Sequence, residues 1–237
     1  MRRRGRPLIY NRTELARRRC PLSLGSVLSR RDREKQLKEA GRLPPGQSLT
    51  QKFPVLHYGP VPGFDPGTWT LRLWGEVEEE TTLTWDQFDA LPRTKRLMDI
   101  HCVTRWSKFE TVWEGVALQT LIDEGLLGLK PSAKYVMQHC EYNFTVNLPL
   151  DVALAENFLL ATHFDGQPLT PDHGYPLRGV VGAIKDRDDL QTPYLWKGGK
   201  WLRGLEFMPE DRLGFWEQAG YHNEADVWKE QRLAHGW

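Results

Sequence analysis

"MDIHCVTRWSKF", residues 98–109, ends an apolar segment with a histidine and a cysteine, then adds a hydroxyl, a guanidinium and an indole. Four roles are open to Cys102: a core residue, a zinc ligand, a catalytic nucleophile, or the single thiolate that holds a heavier metal. Adjacent side chains on a strand point to opposite faces. His101-Cys102 and the similar pair His139-Cys140 could therefore each reach one ion only through a bulge or turn. Zinc sites space their ligands two to four residues apart for this reason, which argues against zinc. A cysteine hydrolase would need an oxyanion hole and a base positioned by a third group, and no local signature of one is present. Burial is the common fate of a free cysteine. Cys140 reads that way, whereas the "VTRWS" run makes the surroundings of Cys102 less bland.

Working outward, 237 residues suffice for one large domain or two small ones, and ten tryptophans with 40% hydrophobic residues indicate a globular fold. No apolar run approaches the roughly 18 residues of a membrane helix, so no membrane span is expected. Three cysteines, at 20, 102 and 140, are too few and odd in number for a disulfide framework, which favours a reducing compartment or cysteines kept for chemistry. The net charge of +1 conceals an asymmetry: residues 1–40 hold 13 Lys and Arg against 4 Asp and Glu, the remainder 19 against 27. This reads as a basic arm, residues 1–41, helical or partly disordered and solvated over an acidic body, residues 42–237. The arm lacks a nucleic-acid-binding motif and has Tyr10 as its one aromatic residue, so no nucleic-acid partner is expected. "RRRCPLSLGSVLSRRD" does not resemble an export signal, and the expected location is cytoplasmic.

Along the chain, "SRRDREKQLKEAG" reads as a helix capped by Ser29 and ended by Gly41, and "TLTWDQFDALP" as one capped by Thr84 with Gln87 three residues on. The prolines and glycines of "FPVLHYGPVPGFDPGTW" keep residues 53–69 out of a helix. "TWTLRLWGEV", "RLMDIHCV", "AKYVMQHC", "YNFTVNLP" and "KWLRGLEFM" read as strands. "VALQTLIDEG" and "LDVALAENFLLA" read as helices, and "GFWEQAGYHN" as a short helix or turn. Strands outnumber helices without regular alternation, which gives an α+β fold, mainly β, with mixed sheets and long loops.

Two further stretches carry chemistry. In "HGYPLRGVV", residues 173–181, Gly174 and Pro176 form a turn that presents His173 and Arg178. In "YLWKGGKWLRG", Lys197 and Lys200 flank a Gly-Gly turn whose N–H groups, with both ammonium groups, could converge on a phosphate. There is no G-x-x-x-x-G-K-[ST] loop, so this cradle comes without nucleotide-hydrolase machinery.

Five segments in order, "KFPVLHYGPVP", "DIHCVTRWSKF" with "TVWEGVAL", "HGYPLRGVV", "YLWKGGKWLRGLEF" and "RLGFWEQAGYHNEADVWKEQR", resemble the molybdopterin-binding domain of the sulfite oxidase-like family. They span most of residues 42–232. The resemblance implies a molybdenum–molybdopterin cofactor whose metal is ligated by the Cys102 thiolate, with the remaining sulfurs supplied by the pterin. A soft thiolate suits a sulfur-rich metal centre. It further implies that His173 and Arg178 hold the pterin and its phosphate, that Lys197 and Lys200 complete the anion site, and that His57 and Tyr58 contact the pterin from the opposite side. Thr104 would lie near the metal and Trp106 on the site wall, with His101 on the other face of its strand. Many relatives carry glycine where this chain has Arg105. That arginine reads either as a substrate-binding, catalytic cation or as a surface residue tolerated at a turn. "GAIKDRDDLQT", 182–192, reads as an inserted exposed loop at the rim of the site.

The implied activity is two-electron oxygen-atom transfer, as sulfite oxidation or, alternatively, sulfoxide reduction, on a small sulfur oxyanion or sulfoxide. The chain has room for neither a haem domain nor a dimerisation domain, so no haem is expected in it and a separate electron partner, a cytochrome or flavoprotein, is implied. The rival of another class is a non-enzymatic binding module with a basic arm.

Overall fold

The computed structural model describes residues 29–185, 187, 190 and 193–235. It begins with α1 (Arg30–Glu39), β1 (Ser48–Leu49), β2 (Thr70–Gly75), β3 (Thr81–Thr84), α2 (Trp85–Asp89), β4 (Thr94–His101), β5 (Trp106–Val116) and α3 (Leu118–Asp123). It continues with β6 (Tyr135–Cys140), β7 (Thr145–Pro149), α4 (Leu150–Leu154), β8 (Phe158–Phe164), β9 (Gln167–Pro168), β10 (Arg178–Val181), β11 (Leu202–Met208) and α5 (Phe215–Gln218). Both local cap readings hold. The Ser29 hydroxyl accepts from the Asp32 N–H, and Thr84 and Gln87 form a reciprocal capping box.

Two mixed sheets carry the fold. One runs β1-β5-β8-β10, with β4 paired to β5 and β9 to β8; the other runs β3-β2-β11-β6-β7. β1 with β5 and β11 with β2 are parallel, while the other pairs are antiparallel. The larger core packs Leu71, Leu73, Val136, Leu205 and Phe207 of the second sheet against Phe158, Leu160 and Val181 of the first. A smaller core on the opposite face holds Met98, Ile100, Trp113, Leu159, Ala161 and Val180.

β8 is therefore buried on both faces, and this overturns one expectation. "LDVALAENFLLA" is not one helix. Only Leu150–Leu154 is helical, and "FLLA" opens β8. A strand buried on both sides loses its period-two signature and reads as a continuous apolar run. β5 was not legible either, because polar Ser107 and Thr111 occupy buried positions and Glu110 breaks the alternation at φ 57°.

α1 lies on the same body. Leu37 is buried, Arg33 and Arg42 both reach Glu110, and the Glu34 carboxylate accepts the Leu49 N–H. The rest of the basic arm, with Cys20, falls outside the described residues.

His101 ends β4 with its ring buried and Nδ1 2.8 Å from Ser107 Oγ. Burial, then the nearby Arg42 charge, holds its pKa down at about 3. The unfolded chain binds that proton near pH 6.5, so between those values the unfolded state carries more protons and stability rises with pH. Denaturant titrations should show the wild type losing up to about 1.4 kcal/mol per pH unit more than His101→Asn as pH falls below about 6.5. Parallel pH profiles of the two proteins would contradict the assignment.

Candidate active site

The ends of β4, β5 and β10 meet the loops at 53–58 and 195–201 around a cavity of about 360 Å³. Cys102 lies in its wall, 8% exposed, with Thr104 Oγ1 3.2 Å from its sulfur. The loop between β4 and β5 is closed by two bonds, Cys102 N–H to Trp106 O at 2.8 Å and Arg105 N–H to Cys102 O at 3.0 Å. Three-residue hairpin loops of this kind end in a left-handed residue, usually glycine. Arg105 occupies that position with φ 70°. Its side chain is exposed and is not part of the cavity wall.

Arg178 is also buried in the cavity wall, its guanidinium donating to the carbonyls of His173, Gly179 and Gly198. Lys200 Nζ donates to the Leu56 and Asp172 carbonyls at 2.9 and 2.7 Å. Burial, and then the Arg178 charge, pushes the Lys200 pKa down to about 7, against the pull of Asp172 and Cys102. Among the described residues neither cation has a carboxylate within ion-pair distance. A buried guanidinium and a half-buried ammonium, with no carboxylate partner among the described residues, make this part of the cavity a seat for an anion.

The other residues singled out in the sequence divide. His57 and Tyr58 line the cavity, as do Thr104 and Trp106. His57 donates from Nδ1 to the Gly59 carbonyl and stands edge-on to Trp201. His173 is one layer back: it stacks on Phe53 and spends its ring nitrogens on Thr170 Oγ1 and the Phe53 carbonyl.

Lys197 requires a correction. It is 1% exposed and its ammonium turns away from the cavity to Glu217 Oε1 at 2.6 Å and Asn147 Oδ1 at 2.9 Å. In the 3₁₀ turn Leu195–Lys197 one lysine of the pair serves the interior, and only Lys200 faces the cavity. The Gly-Gly N–H groups are not free for an anion either, since Gly198 donates to the Leu195 carbonyl and Gly199 to Gln138 Oε1. The glycines serve close approach instead. A Cβ on Gly198 would overlap the Gly179 carbonyl oxygen, and one on Gly199 would overlap the Cys140 sulfur.

Cys140 is buried, and burial pushes its thiol far above the ordinary range. Its neighbour His139 points away to Glu206 at 2.8 Å. Among the described residues no three His, Cys, Asp or Glu side chains form a metal cage. None of the described residues of 182–192 lines the cavity: Ala183 pairs with Asp99 of β4, and Ile184 packs on the smaller core. Sequence reasoning passed over the aromatic remainder of the wall, notably Phe53, Phe144, Trp196, Trp201, Trp216 and Tyr221. Trp216 and Tyr221 stood within a segment that carried the resemblance.

The family model described as "Oxidoreductase molybdopterin binding domain" matches residues 58–216, about two thirds of the chain. The chain belongs to this family. It is 44% identical over 200 residues to the uncharacterized oxidoreductase YuiH of Bacillus subtilis, over 84% of this chain and 96% of that one. It is 27% identical over 181 residues to the putative protein-methionine-sulfoxide reductase subunit YedZ1 of Azospira oryzae, over 75% of this chain and 64% of that one. Against the mitochondrial sulfite oxidase of Macaca fascicularis it is 26% identical over 212 residues, 75% of this chain and 37% of that one. The chain spans less than two thirds of either of the last two proteins. Sulfane dehydrogenase SoxCD of Paracoccus pantotrophus superposes with a TM-score of 0.55 at 20% identity, over 66% of this chain and 42% of that one, a likeness of fold. The chain is thus a molybdopterin oxidoreductase with the sulfite oxidase-type fold.

The cavity fits the family's cofactor. One soft thiol, two unpaired cations and an aromatic wall are the donors that a metal, a phosphate and a pterin ring would use, in that order.

Gly198→Ala should cost about 1–3 kcal/mol in denaturant titration, because the overlap is with backbone that cannot rotate away; an unchanged midpoint would contradict the close approach. Arg105→Gly should leave stability equal or raise it by up to about 1 kcal/mol, by relieving the left-handed backbone. A clear loss would mean that the arginine side chain stabilises the loop.

Proposed function

We propose that this chain catalyses two-electron oxygen-atom transfer at a mononuclear molybdenum–molybdopterin centre whose protein ligand is Cys102. The observation that supports it is a pair of features in one cavity: the Cys102 thiol, and buried Arg178 with half-buried Lys200, neither with a carboxylate partner among the described residues. Molybdenum bound there supplies a two-electron redox couple and a site for oxygen exchange. The chain's residues do the rest. Cys102 provides the thiolate, held by Thr104 Oγ1. Arg178 and Lys200 bind the phosphate of the pterin, while His57 and Tyr58 border the pterin. Trp106, Phe144 and Trp216 keep water from the reacting side.

Arg178 and Lys200 are the only cations on the described wall, and the phosphate claims both. An aromatic cavity with no cation to spare suits a neutral sulfoxide, reduced to its sulfide with two electrons and two protons and releasing water. The names of the relatives support this reading and its rival equally, one a sulfoxide reductase subunit and one a sulfite oxidase. The rival, sulfite oxidation, would require Arg105 to swing toward Cys102 from its exposed turn. The electrons come from a separate protein, for which a cytochrome or flavoprotein is suited. We place the reaction in the cytoplasm, in keeping with three cysteines that are too few and odd in number for a disulfide framework. Among the described residues no helix is long and apolar enough to cross a membrane.

Purified protein from cofactor-competent cells should contain about one molybdenum and one pterin per chain, and Cys102→Ser should lose turnover while keeping its melting temperature. Steady-state assays with artificial electron carriers should show sulfoxide reduction, with Arg105→Gly leaving KM unchanged. Zinc, or no metal, would overturn the cofactor. Sulfite turnover with a KM raised in Arg105→Gly would overturn the sulfoxide reading.

A further inference from the structure

Cys102 sits in a loop whose backbone is held from two directions by parts of the chain outside the family-matched residues 58–216. The Cys102 carbonyl accepts from Gln47 Nε2 at 3.1 Å. The next carbonyl, of Val103, accepts from Arg232 Nη1 at 2.5 Å. Both donors are interior groups: Gln47 is 6% exposed and Arg232 2%.

Each donor is itself fixed. The Ser107 hydroxyl donates to Gln47 Oε1 at 3.3 Å, so the hydroxyl oxygen accepts from His101 Nδ1 at 2.8 Å. The Cys102 carbonyl can only accept, so Gln47 presents its amide N–H to the loop and its oxygen to Ser107, and the bonds run in one direction from His101 through Ser107 and Gln47 to that carbonyl. On the other side the Arg232 guanidinium lies 5.1 Å from the centre of the buried Tyr194 ring. That ring packs with Ala225, Val227 and Val103. Arg232 is a costly choice for a purely structural contact. Its counter-charge, Glu230, is 3.7 Å away and half exposed, and among the described residues the Arg232 Nη2 has no hydrogen-bond partner. What the arginine gains is a charge-assisted bond to the carbonyl one residue beyond the metal-binding thiol.

We propose that Gln47 and Arg232 are positioning residues that clamp the Cys102–Arg105 loop and so fix the reach of the thiolate toward the metal. The segments around β1 and residues 225–233 are then part of the active site, although neither touches the cofactor. The proposal rests on the reading of Cys102 as the metal ligand and deepens it.

Three variants of the full chain test it: Gln47→Leu, Arg232→Met and the conservative Arg232→Lys. Hydrogen exchange reads the loop whether or not cofactor is bound. Losing either donor should speed exchange of the Cys102 and Arg105 amides roughly ten- to hundredfold relative to β11 amides, and Arg232→Lys should restore most of the protection. Molybdenum retention after dialysis should fall by a similar factor in Gln47→Leu and Arg232→Met, with altered Mo(V) resonance positions at an unchanged melting temperature. Should Arg232→Met not fold, Gln47→Leu decides. Wild-type protection of the loop in the folded variants would overturn the clamp whatever the cofactor proves to be. A loosened loop with wild-type molybdenum retention and resonance would overturn its role toward the metal. Absence of molybdenum from the wild type, by contrast, is the failure of the underlying reading and overturns this proposal with it.

Discussion

A hairpin loop of three residues closes only if its last residue turns left-handed, and that requirement governs where the cavity's thiol points. β4 and β5 are locked by their ladder through His101 and Ser107, so the chain must reverse within residues 102–106. Cys102 leaves the strand at the first position of the reversal and Arg105 absorbs the strained backbone at the last. Two carbonyls of the same reversal accept from buried side chains, Cys102 from Gln47 beside its loop-closing bond to Arg105, and Val103 from Arg232. The thiol's direction, the odd conformation of Arg105 and the buried donors behind the loop all follow from one short connection.

The cationic part of the wall is set by a different constraint. β10 and the 198–200 segment approach so closely that no side chain fits between them, which fixes glycine at 198 and places Arg178 beside Lys200. Both cations end up bonded to main-chain carbonyls, which orient them without neutralising them. Their charge, with no carboxylate partner among the described residues, makes one part of a wall that also holds a thiol and aromatic rings. Lys197, one turn earlier, has the same charge but a buried glutamate for a partner, and it stabilises the wall through Glu217, which also accepts from the Trp196 indole.

Local chemistry was legible in the sequence and long-range chemistry was not. The Ser29 and Thr84 caps, the irregular run through residues 53–69 and the strand at 70–75 need only neighbours within a few positions, and each reads correctly. β8 misreads as helix because a second core, contributed by β4 and β5, buries the face that would otherwise be polar. The two lysines around Gly-Gly look equivalent until Glu217, 20 positions away, claims one of them. The same limit hid Gln47 and Arg232, whose side chains are ordinary in their own stretches and acquire meaning only from carbonyls 55 and 129 residues distant. Cys102 was singled out by its neighbours and by the family resemblance, whereas the geometry of the turn that presents it was not legible.

If Cys102 is the protein's one ligand to molybdenum, the metal's sulfur count depends on it directly. X-ray absorption at the molybdenum edge of the purified protein and of Cys102→Ser, both with pterin content measured, tests this. The spectrum of the variant should fit with one sulfur fewer in the coordination shell and otherwise unchanged sulfur distances. An identical sulfur shell in the two proteins would contradict the central assignment and return Cys102 to the core.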